Sequence, residues 1–386
     1  MARRLGLRSD RDLRHGEEGL TTRLLDIIRE RGPLTVAAFM DFALYDNEFG
    51  YYARAARRSG RAGDFFTSVD VGPVFGELLA KQIIEMAALL EPPFELVEAG
   101  AGSGRLSADI LRAIRRRDPA VYERLRLYLV EISADARAAQ SDSLGDVSDR
   151  LASSSADLPA SFAGVLIANE LLDALPVHQV VMREGLREVY VDVHGDRLTT
   201  IEGPPSTPRL QEHLEREHVA LEPGWRAEIN LRAVDWTRLA VRALNRGFII
   251  LIDYGHPARE LYSVTHSAGT LTTYSRHTMA GPERSGNIPA WLDRPTEQDI
   301  TAHVDFTSVQ HAAEREGAAT LGFLDQTYFL LGLGAADLDT ADLKTRLALK
   351  TLLMPGGLGS TLKVLILGKN VGKPTLLGCS FRMRVT

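Results

Sequence analysis

The stretch Glu98-Ala99-Gly100-Ala101-Gly102-Ser103-Gly104 decides the fold, because it joins a short apolar strand to an amphipathic helix. The strand covers residues 95–98, and Leu106, Ile110 and Leu111 follow the glycines at helical spacing. A chain that turns this sharply, and lets a ligand approach its backbone, needs residues without a Cβ. The pattern favours a ligand-binding turn at the carboxyl end of a parallel strand. A tight turn that binds nothing is the alternative.

The rest of the chain repeats this alternation of short apolar strands and helices. A strong helical pattern covers residues 75–90, and a weaker strand lies around Leu151. The clear apolar strands are residues 125–131, 164–168, 248–253 and 362–367. Strands that are apolar on both faces belong in a parallel sheet covered by helices on each side. The sequence therefore predicts an α/β fold.

Four segments are predicted along the chain, which is 386 residues long. Residues 1–74 form an N-terminal helical extension, and residues 75–177 form the half of the core that carries the glycine-rich stretch. Residues 178–227 alternate in part and turn at Gly185 and His194-Gly195, which predicts an inserted β-rich segment. Residues 228–386 complete the core, with a loop and helical insertion over 256–355. These are insertions into one core and not domains in series.

Composition excludes several classes of function. The net charge of −6 argues against a dedicated nucleic-acid binder, and no apolar run approaches the 18 residues of a membrane-spanning helix. The single cysteine excludes a disulfide framework, and the ten histidines lack zinc-ligand spacing, so no metal is expected. Residues 1–20 have no apolar signal region, which predicts a cytoplasmic, bacterial protein. From the charge and the short apolar runs, no nucleic-acid or membrane partner is expected. The oligomeric state stays open, with a homodimer as one option.

The spacing of Gly100, Gly102 and Gly104 distinguishes between cofactors. A dinucleotide site has the pattern G-x-G-x-x-G, but the third glycine position is occupied here by Arg105. S-adenosylmethionine (SAM) carries no pyrophosphate, so it needs a close backbone more than an anion site. Glu98 would oppose phosphates but suits the ammonium of the methionyl head. The turn therefore favours SAM over a dinucleotide.

Two acidic residues on the following strands are candidate cofactor ligands. Glu131 ends the next strand, where a carboxylate can accept hydrogen bonds from both ribose hydroxyls. Asp157, beyond the weak strand, could accept one from the adenine amino group. The alternatives are a solvated strand-end charge for Glu131 and an ordinary serine-rich turn for Asp157.

Polar residues also follow the third clear strand. If Glu170 and Asp173 lie on a helix, their spacing of three puts both carboxylates on one face, where they would orient a cationic or hydroxylic acceptor. Helix capping by Asn169 is the alternative. Glu228 is a weaker third candidate for this role.

Residues 299–306 alternate strictly between polar and apolar side chains, which predicts a strand. Its polar face contains Thr301, His303 and Asp305. An ordinary half-exposed strand is one interpretation. The other puts His303 in the substrate pocket, where it could transfer a proton near neutral pH.

Blocks of sequence spread over residues 39–369 carry a family resemblance. They include Gly50-Tyr51-Tyr52, Gly63 to Ser68, Phe75 to Ala80, Glu98 to Gly104, Asn169-Glu170, Asp173 to His178, Ile252 to Gly255, Asp299 to Phe306 and Lys363-Val364-Leu365. In this order they resemble the MidA-like SAM-dependent methyltransferases. The mitochondrial member of that family is a protein arginine methyltransferase needed for complex I assembly. The sequence departs from the family at Val69-Asp70, where Pro-Glu is usual.

The resemblance implies a class I, Rossmann-like methyltransferase sheet with SAM as cofactor and S-adenosylhomocysteine as product. It implies that residues 63–68 close over the site, with Thr67 and Ser68, together with Asn169, near the cofactor. The Asn169-Glu170 pair resembles the strand-end acid of arginine methyltransferases, which implies N-methylation of arginine on a protein acceptor. A small-molecule O- or N-methyltransferase and a SAM-binding assembly factor without turnover are the alternatives.

Overall fold

The computed structural model describes residues 22–48, 50–54, 67–275, 278–280, 289–338, 342–354, 358–359 and 361–381. The chain divides into two compact units. The first unit contains residues 1–55, 176–229 and 262–302, and the second contains residues 56–175, 230–261 and 303–386.

The described strands and helices follow one another along both units. In chain order the strands are β1 (Leu34–Thr35), β2 (Phe94–Ala99), β3 (Leu125–Val130), β4 (Leu151–Ser155), β5 (Phe162–Asn169), β6 (His178–Met182), β7 (Leu186–His194), β8 (Arg197–Gly203), β9 (Arg226–Ile229), β10 (Leu244–His256), β11 (Thr272–Ser275), β12 (Thr278–Ala280), β13 (Asp299–Thr301), β14 (Val304–Asp305), β15 (Ala319–Asp325) and β16 (Leu362–Lys369). The helices are α1 (22–31), α2 (Val36–Tyr45), α3 (Tyr51–Arg54), α4 (Val74–Ala88), α5 (Arg105–Arg117), α6 (Pro119–Arg124), α7 (Ala134–Leu144), α8 (Arg209–Arg216), α9 (Leu231–Ala243), α10 (Ala258–Leu261), α11 (Ala290–Asp293), α12 (Phe306–Arg315), α13 (Gln326–Gly332) and α14 (Leu343–Leu353).

The second unit contains the main sheet, with strand order β15-β16-β10-β5-β2-β3-β4. The strands from β10 to β4 are parallel, and β16 is antiparallel to both of its neighbours. This arrangement confirms the predicted α/β sheet. The predicted loop and helical insertion over 256–355 also contributes an edge strand to this sheet, β15. Its residues are all half-buried and include Gly322, so it lacks both an apolar run and an alternating pattern.

Helices cover both faces of this sheet, as its two hydrophobic clusters show. Leu96 packs in the cluster that contains residues of α4, α5, α13 and α14, whereas the adjacent Val97 packs with residues of α9 and α12. Each fully buried side chain of this size contributes about 1.5–3 kcal/mol to folding. Because both faces are buried, the carboxyl edge of the sheet is left for polar residues and ligands.

The first unit combines the N-terminal helices with inserted strands. The strands pair in the order β1-β7-β6-β9, with β8 on β7, and β11 pairs with β12 and β13. The turns predicted at Gly185 and Gly195 connect β6 to β7 and β7 to β8. The predicted segments 1–74 and 178–227 therefore do not fold separately, since β1 pairs with β7 and α2 packs on β6 and β7. No helix in the described part of the chain is long and apolar enough to cross a bilayer.

Candidate functional site

The glycine-rich turn between β2 and α5 has three residues in the left-handed region. The φ angles of Gly100, Gly102 and Gly104 are 71°, 50° and 80°, which side chains other than glycine rarely adopt. A Cβ at Gly100 would meet the Leu171 side chain at 3.1 Å, and one at Gly104 would meet Leu129 at 3.2 Å. A Cβ at Gly102 would meet nothing within 4 Å. Gly102 is therefore the point where a ligand can approach the backbone.

Glu98 lies beneath the first turn of α5. Its carboxylate accepts hydrogen bonds from the backbone nitrogen of Ser107, at 3.2 Å, and from the Ser107 hydroxyl. Burial raises the pKa of Glu98 to about 7, because the charged form is poorly solvated there. One carboxylate oxygen is thus used to hold α5 against the turn. Contact between Glu98 and a cofactor ammonium stays a prediction.

The structure brings Glu131 to the glycine turn. Its Oε2 accepts from the backbone nitrogen of Gly102 at 2.9 Å, and its Oε1 accepts from that of Ser133 at 2.8 Å. The next residue, Ile132, is apolar and 56% exposed. Asp157 is also exposed and lies two residues beyond β4, the strand beside β3. A fixed carboxylate therefore lies next to Gly102, and an exposed apolar side chain follows it in the chain.

Glu170 follows β5 in a left-handed backbone conformation with φ of 53°. Its Oε1 accepts from the Ser68 backbone nitrogen at 3.2 Å and from Asn169 Nδ2 at 3.0 Å. Burial, with a smaller contribution from the nearby charges of Asp253 and Asp70, raises the pKa of the Glu170 carboxyl to about 8. Asn169 Oδ1 is buried without a hydrogen-bond partner in the described part of the chain. This edge of the sheet thus holds a proton-binding carboxyl beside an unsatisfied acceptor.

The helix predicted to align Glu170 with Asp173 does not form, because residues 170–175 are bends and turns. Asp253 of β10 holds this turn instead. Its Oδ2 accepts from the backbone nitrogens of Leu171, Leu172 and Asp173 at 3.1, 2.7 and 3.4 Å. Burial raises the pKa of Asp253 to about 6. This role of Asp253 was not predicted from the sequence, although an acid late in a buried apolar strand is a usable signal for it.

Arg105 joins the glycine turn to the segment that precedes α4. It donates to Asp70 Oδ1 at 2.8 Å and to the Val69 carbonyl at 3.3 Å. The other oxygen of Asp70 accepts from the nitrogen and hydroxyl of Thr67. Thr67 and Ser68 are therefore held beside the site. The rest of the predicted closing segment, 63–66, lies outside the described residues.

The strand predicted over residues 299–306 is confirmed only in part, as the short strands β13 and β14. It is interrupted at Ala302-His303, and Asp305 caps α12 by accepting from the Thr307 and Ser308 nitrogens at 3.0 and 3.2 Å. The His303 ring lies 5.2 Å from the ring of His256, at the end of β10. A proton-transfer role for His303 stays a prediction.

Glu228 belongs to the first unit and has a structural environment. It is buried, with Oε1 accepting from Gln179 Nε2 at 2.9 Å and Oε2 from the Thr270 nitrogen at 2.7 Å. A Cβ at Gly269 would lie 2.4 Å from its Oε1, so close packing fixes this carboxylate. These contacts explain Glu228 without a ligand.

The residues at the carboxyl edge fit SAM. Its ribose hydroxyls are donors for the Glu131 carboxylate. The open side of Gly102 gives the backbone approach that such a ligand requires. Held there, the cofactor would supply an activated methyl group.

Comparison with known proteins identifies the family. Residues 78–324 match a family described as S-adenosyl-L-methionine-dependent methyltransferases. The mitochondrial protein arginine methyltransferase NDUFAF7 of Mus musculus is 30% identical over 340 residues, which is 80% of this chain and 72% of that protein. The Homo sapiens protein of the same name is 29% identical, over 80% of this chain and 71% of its own.

Two solved structures from Burkholderia thailandensis have the same fold. One, bound to S-adenosyl-homocysteine, is 28% identical with a TM-score of 0.87, and the match covers 97% of this chain and 98% of that one. The other is a native structure, 27% identical with a TM-score of 0.83 and the same coverage. Together with the site geometry, these matches confirm the predicted resemblance, fold class and cofactor. The chain belongs to the MidA-like family of SAM-dependent methyltransferases.

Proposed function

We propose that this methyltransferase N-methylates arginine on a protein acceptor and that Glu170 holds the guanidinium. The observation that carries the proposal is the buried Glu170 carboxyl with its raised pKa, next to the unpaired Asn169 Oδ1. The names of the mouse and human relatives, which are protein arginine methyltransferases, support the same acceptor class.

The chemistry of a guanidinium suits these two groups. It presents five N–H donors in a fixed plane and no acceptor. Glu170 and Asn169 Oδ1 offer acceptor oxygens, and the positive charge of the guanidinium favours the ionised form of Glu170. Acceptor binding should therefore displace the proton that Glu170 holds in the free enzyme near pH 7.

Methyl transfer to nitrogen needs little covalent help from the protein, because the sulfonium is already an activated methyl donor. The C–S bond breaks as the C–N bond forms, and the nitrogen loses one proton. Catalysis is then chiefly positioning, which Asp253 serves by fixing the turn over Leu171–Asp173. The released proton passes to the Glu170 carboxylate, whose raised pKa makes it a competent acceptor at neutral pH.

The first experiment is transfer of label from methyl-labelled SAM into a lysate of a host that lacks the gene. Protein and small-molecule fractions are counted separately, with Glu131→Ala and Glu170→Gln as comparison variants. Labelled methylarginine in hydrolysed protein, absent with both variants, is the expected result. Label only in small molecules would instead support a metabolite acceptor. No label, with S-adenosylhomocysteine still bound, would favour an assembly factor without turnover.

A further inference from the structure

Gln326, the first residue of α13, has no exposed surface and an incompletely bonded amide. Its Oε1 accepts from the Ser68 hydroxyl at 3.3 Å, but its Nε2 has no partner among the described residues. Exchanging the two amide atoms would satisfy only one of the two N–H groups, because Ser68 offers a single oxygen. A buried donor without an acceptor costs about 1–3 kcal/mol. An apolar residue would avoid that cost.

Other buried glutamines of the second unit show what a structural role requires. Gln82 donates to Glu85 at 2.7 Å and accepts from the Gly378 nitrogen at 2.9 Å. Gln140 donates to the Gly102 carbonyl at 2.9 Å and accepts from the Ser154 hydroxyl at 2.6 Å. Both amides use both ends, so the free Nε2 distinguishes Gln326 from them.

The fold places Gln326 on the acceptor side of the carboxyl edge. The preceding residue, Asp325, pairs with Lys363 of β16, and Lys363 pairs on its other side with Asp253 of β10. The end of β15 therefore lies at the same height in the sheet as Asp253 of β10, the residue that holds the turn after Glu170. The glycine turn and Glu131 follow β2 and β3, on the other side of β5. With a strand spacing of about 4.8 Å, β15 is about 19 Å from β2 in the sheet.

Ser68 connects Gln326 to the carboxyl that we assign to the guanidinium. Its backbone nitrogen donates to Glu170 Oε1, and its side chain bonds to the Gln326 amide. Gln326 is thus one serine away from Glu170, but it presents the opposite hydrogen-bonding character. Glu170 can only accept when ionised, whereas the free Nε2 can only donate.

We propose that Gln326 is a specificity-determining residue whose Nε2 donates a hydrogen bond to a carbonyl oxygen of the methyl acceptor. A guanidinium has no acceptor atom, so this oxygen belongs to another part of the substrate, and a peptide carbonyl beside the target arginine supplies it. The inference rests on the proposed function. It adds that the acceptor is selected as a peptide and not as an isolated guanidine.

The test compares two probes that differ in the carbonyl. N-acetyl-Gly-Arg-Gly-amide and n-butylguanidine are titrated calorimetrically at pH 8.5 into the enzyme loaded with S-adenosylhomocysteine. In Gln326→Met the tripeptide Kd should rise about 5- to 10-fold, the loss expected for one hydrogen bond. The Kd of n-butylguanidine, and that of S-adenosylhomocysteine titrated into the unloaded enzyme, should stay within about twofold.

Two further variants control for folding. Gln82→Met breaks two satisfied hydrogen bonds, so it should lower the urea midpoint and leave the tripeptide Kd unchanged. Gln326→Met removes unsatisfied donors and should cost less stability than Gln82→Met. Gln326→Leu is neutral and also removes both N–H groups, so it too must weaken only the tripeptide. If Gln326→Met misfolds, this variant decides.

The other possible results would each contradict the proposed role of Gln326, and each would do so for a different reason. If the wild-type enzyme binds neither probe, the arginine function fails and the role of Gln326 falls with it. If both Gln326 variants bind the tripeptide like wild type, Gln326 is structural while the arginine function stands. If they weaken the binding of S-adenosylhomocysteine instead, the oxygen that accepts from Gln326 Nε2 belongs to the cofactor and not to the methyl acceptor.

Discussion

Glu170→Gln should increase the stability of the folded protein at high pH while it reduces methyl transfer, because the wild-type carboxyl is buried where its charged form is unfavourable. Burial raises its pKa from 4.5 to about 8. Between these values the folded state keeps a proton that the unfolded state releases, so wild-type stability must fall as pH rises. Glutamine does not titrate, and its Oε1 can still accept from Ser68 and Asn169. The variant therefore gains stability relative to wild type as pH rises.

The size of the effect follows from the shift. A pKa of about 8 in the folded state, against 4.5 in the unfolded state, corresponds to about 5 kcal/mol of lost stability above pH 8 and to almost none well below pH 4.5. Part of the Glu170 surface is exposed, and water reaching the carboxylate reduces this value. We expect Glu170→Gln to be about 2–3 kcal/mol more stable than wild type at pH 9. Methyl transfer should nevertheless fall at least about 100-fold, since a buried charged partner of the acceptor is lost.

The assay is urea unfolding at unit steps from pH 5 to 9, followed by tryptophan fluorescence. Asp146→Asn is the matched control. Its hydrogen bonds with Arg112 and Arg115 lower the pKa of Asp146 to about 2, so its difference from wild type should not change between pH 5 and 9. A Glu170→Gln difference that is equally flat would refute the burial argument. Full methyl transfer by this variant would refute the role assigned to the carboxylate.

Three further variants test the cofactor site and its support. Gly102→Ala and Gly195→Ala each add a Cβ at a positive φ, 50° and 63°, with no atom within 4 Å, so each should cost about 1–2 kcal/mol. Only Gly102→Ala should weaken S-adenosylhomocysteine binding in a fluorescence titration, and equal affinity in both would exclude an approach at Gly102. Glu131→Ala should weaken the same binding about 10- to 100-fold, and an unchanged Kd would remove Glu131 from the site. Asp253→Ala should lower stability by about 2 kcal/mol and kcat at least tenfold, with little change in cofactor Kd; an unaltered kcat would separate the turn from catalysis.

The strands of the main sheet were predictable from sequence where both of their faces are buried, because such strands form short apolar runs. β2, β5, β10 and β16 carry apolar residues on both faces, and short runs of this kind are typical of strands buried within a sheet. β15 could not be found in this way, since its partial burial yields neither a run nor an alternation. The grouping of the N-terminal helices with the inserted strands depends on the pairing of Leu34 with Val191, a contact between distant residues that no local pattern encodes.

The site was predictable where its chemistry is local. The glycine spacing and the position of Glu131 needed only the strand before each of them. Asp253 and Gln326 were missed because their contacts join residues 82 and 258 positions apart, to Leu171 and Ser68. Sequence shows which residue ends a strand, but only strand order shows which ends are neighbours. The strand order β5-β10-β16-β15 brings Asp253 and Gln326, which are far apart in sequence from their partners, to the same edge of the sheet.

The strand ends also explain why this site carries strain. Glu98, Glu170 and Asp253 lie at the carboxyl ends of three adjacent parallel strands, β2, β5 and β10, and burial raises the pKa of each. At these buried positions, a carboxyl without hydrogen-bond partners would make the folded state less stable than an apolar side chain would. Glu98 and Asp253 instead hold backbone nitrogens of α5 and of the turn after β5. Of the three, only Glu170 has a left-handed backbone conformation, and its carboxylate also accepts from Ser68 in the segment before α4, which is why we assign the acceptor to it and not to its neighbours.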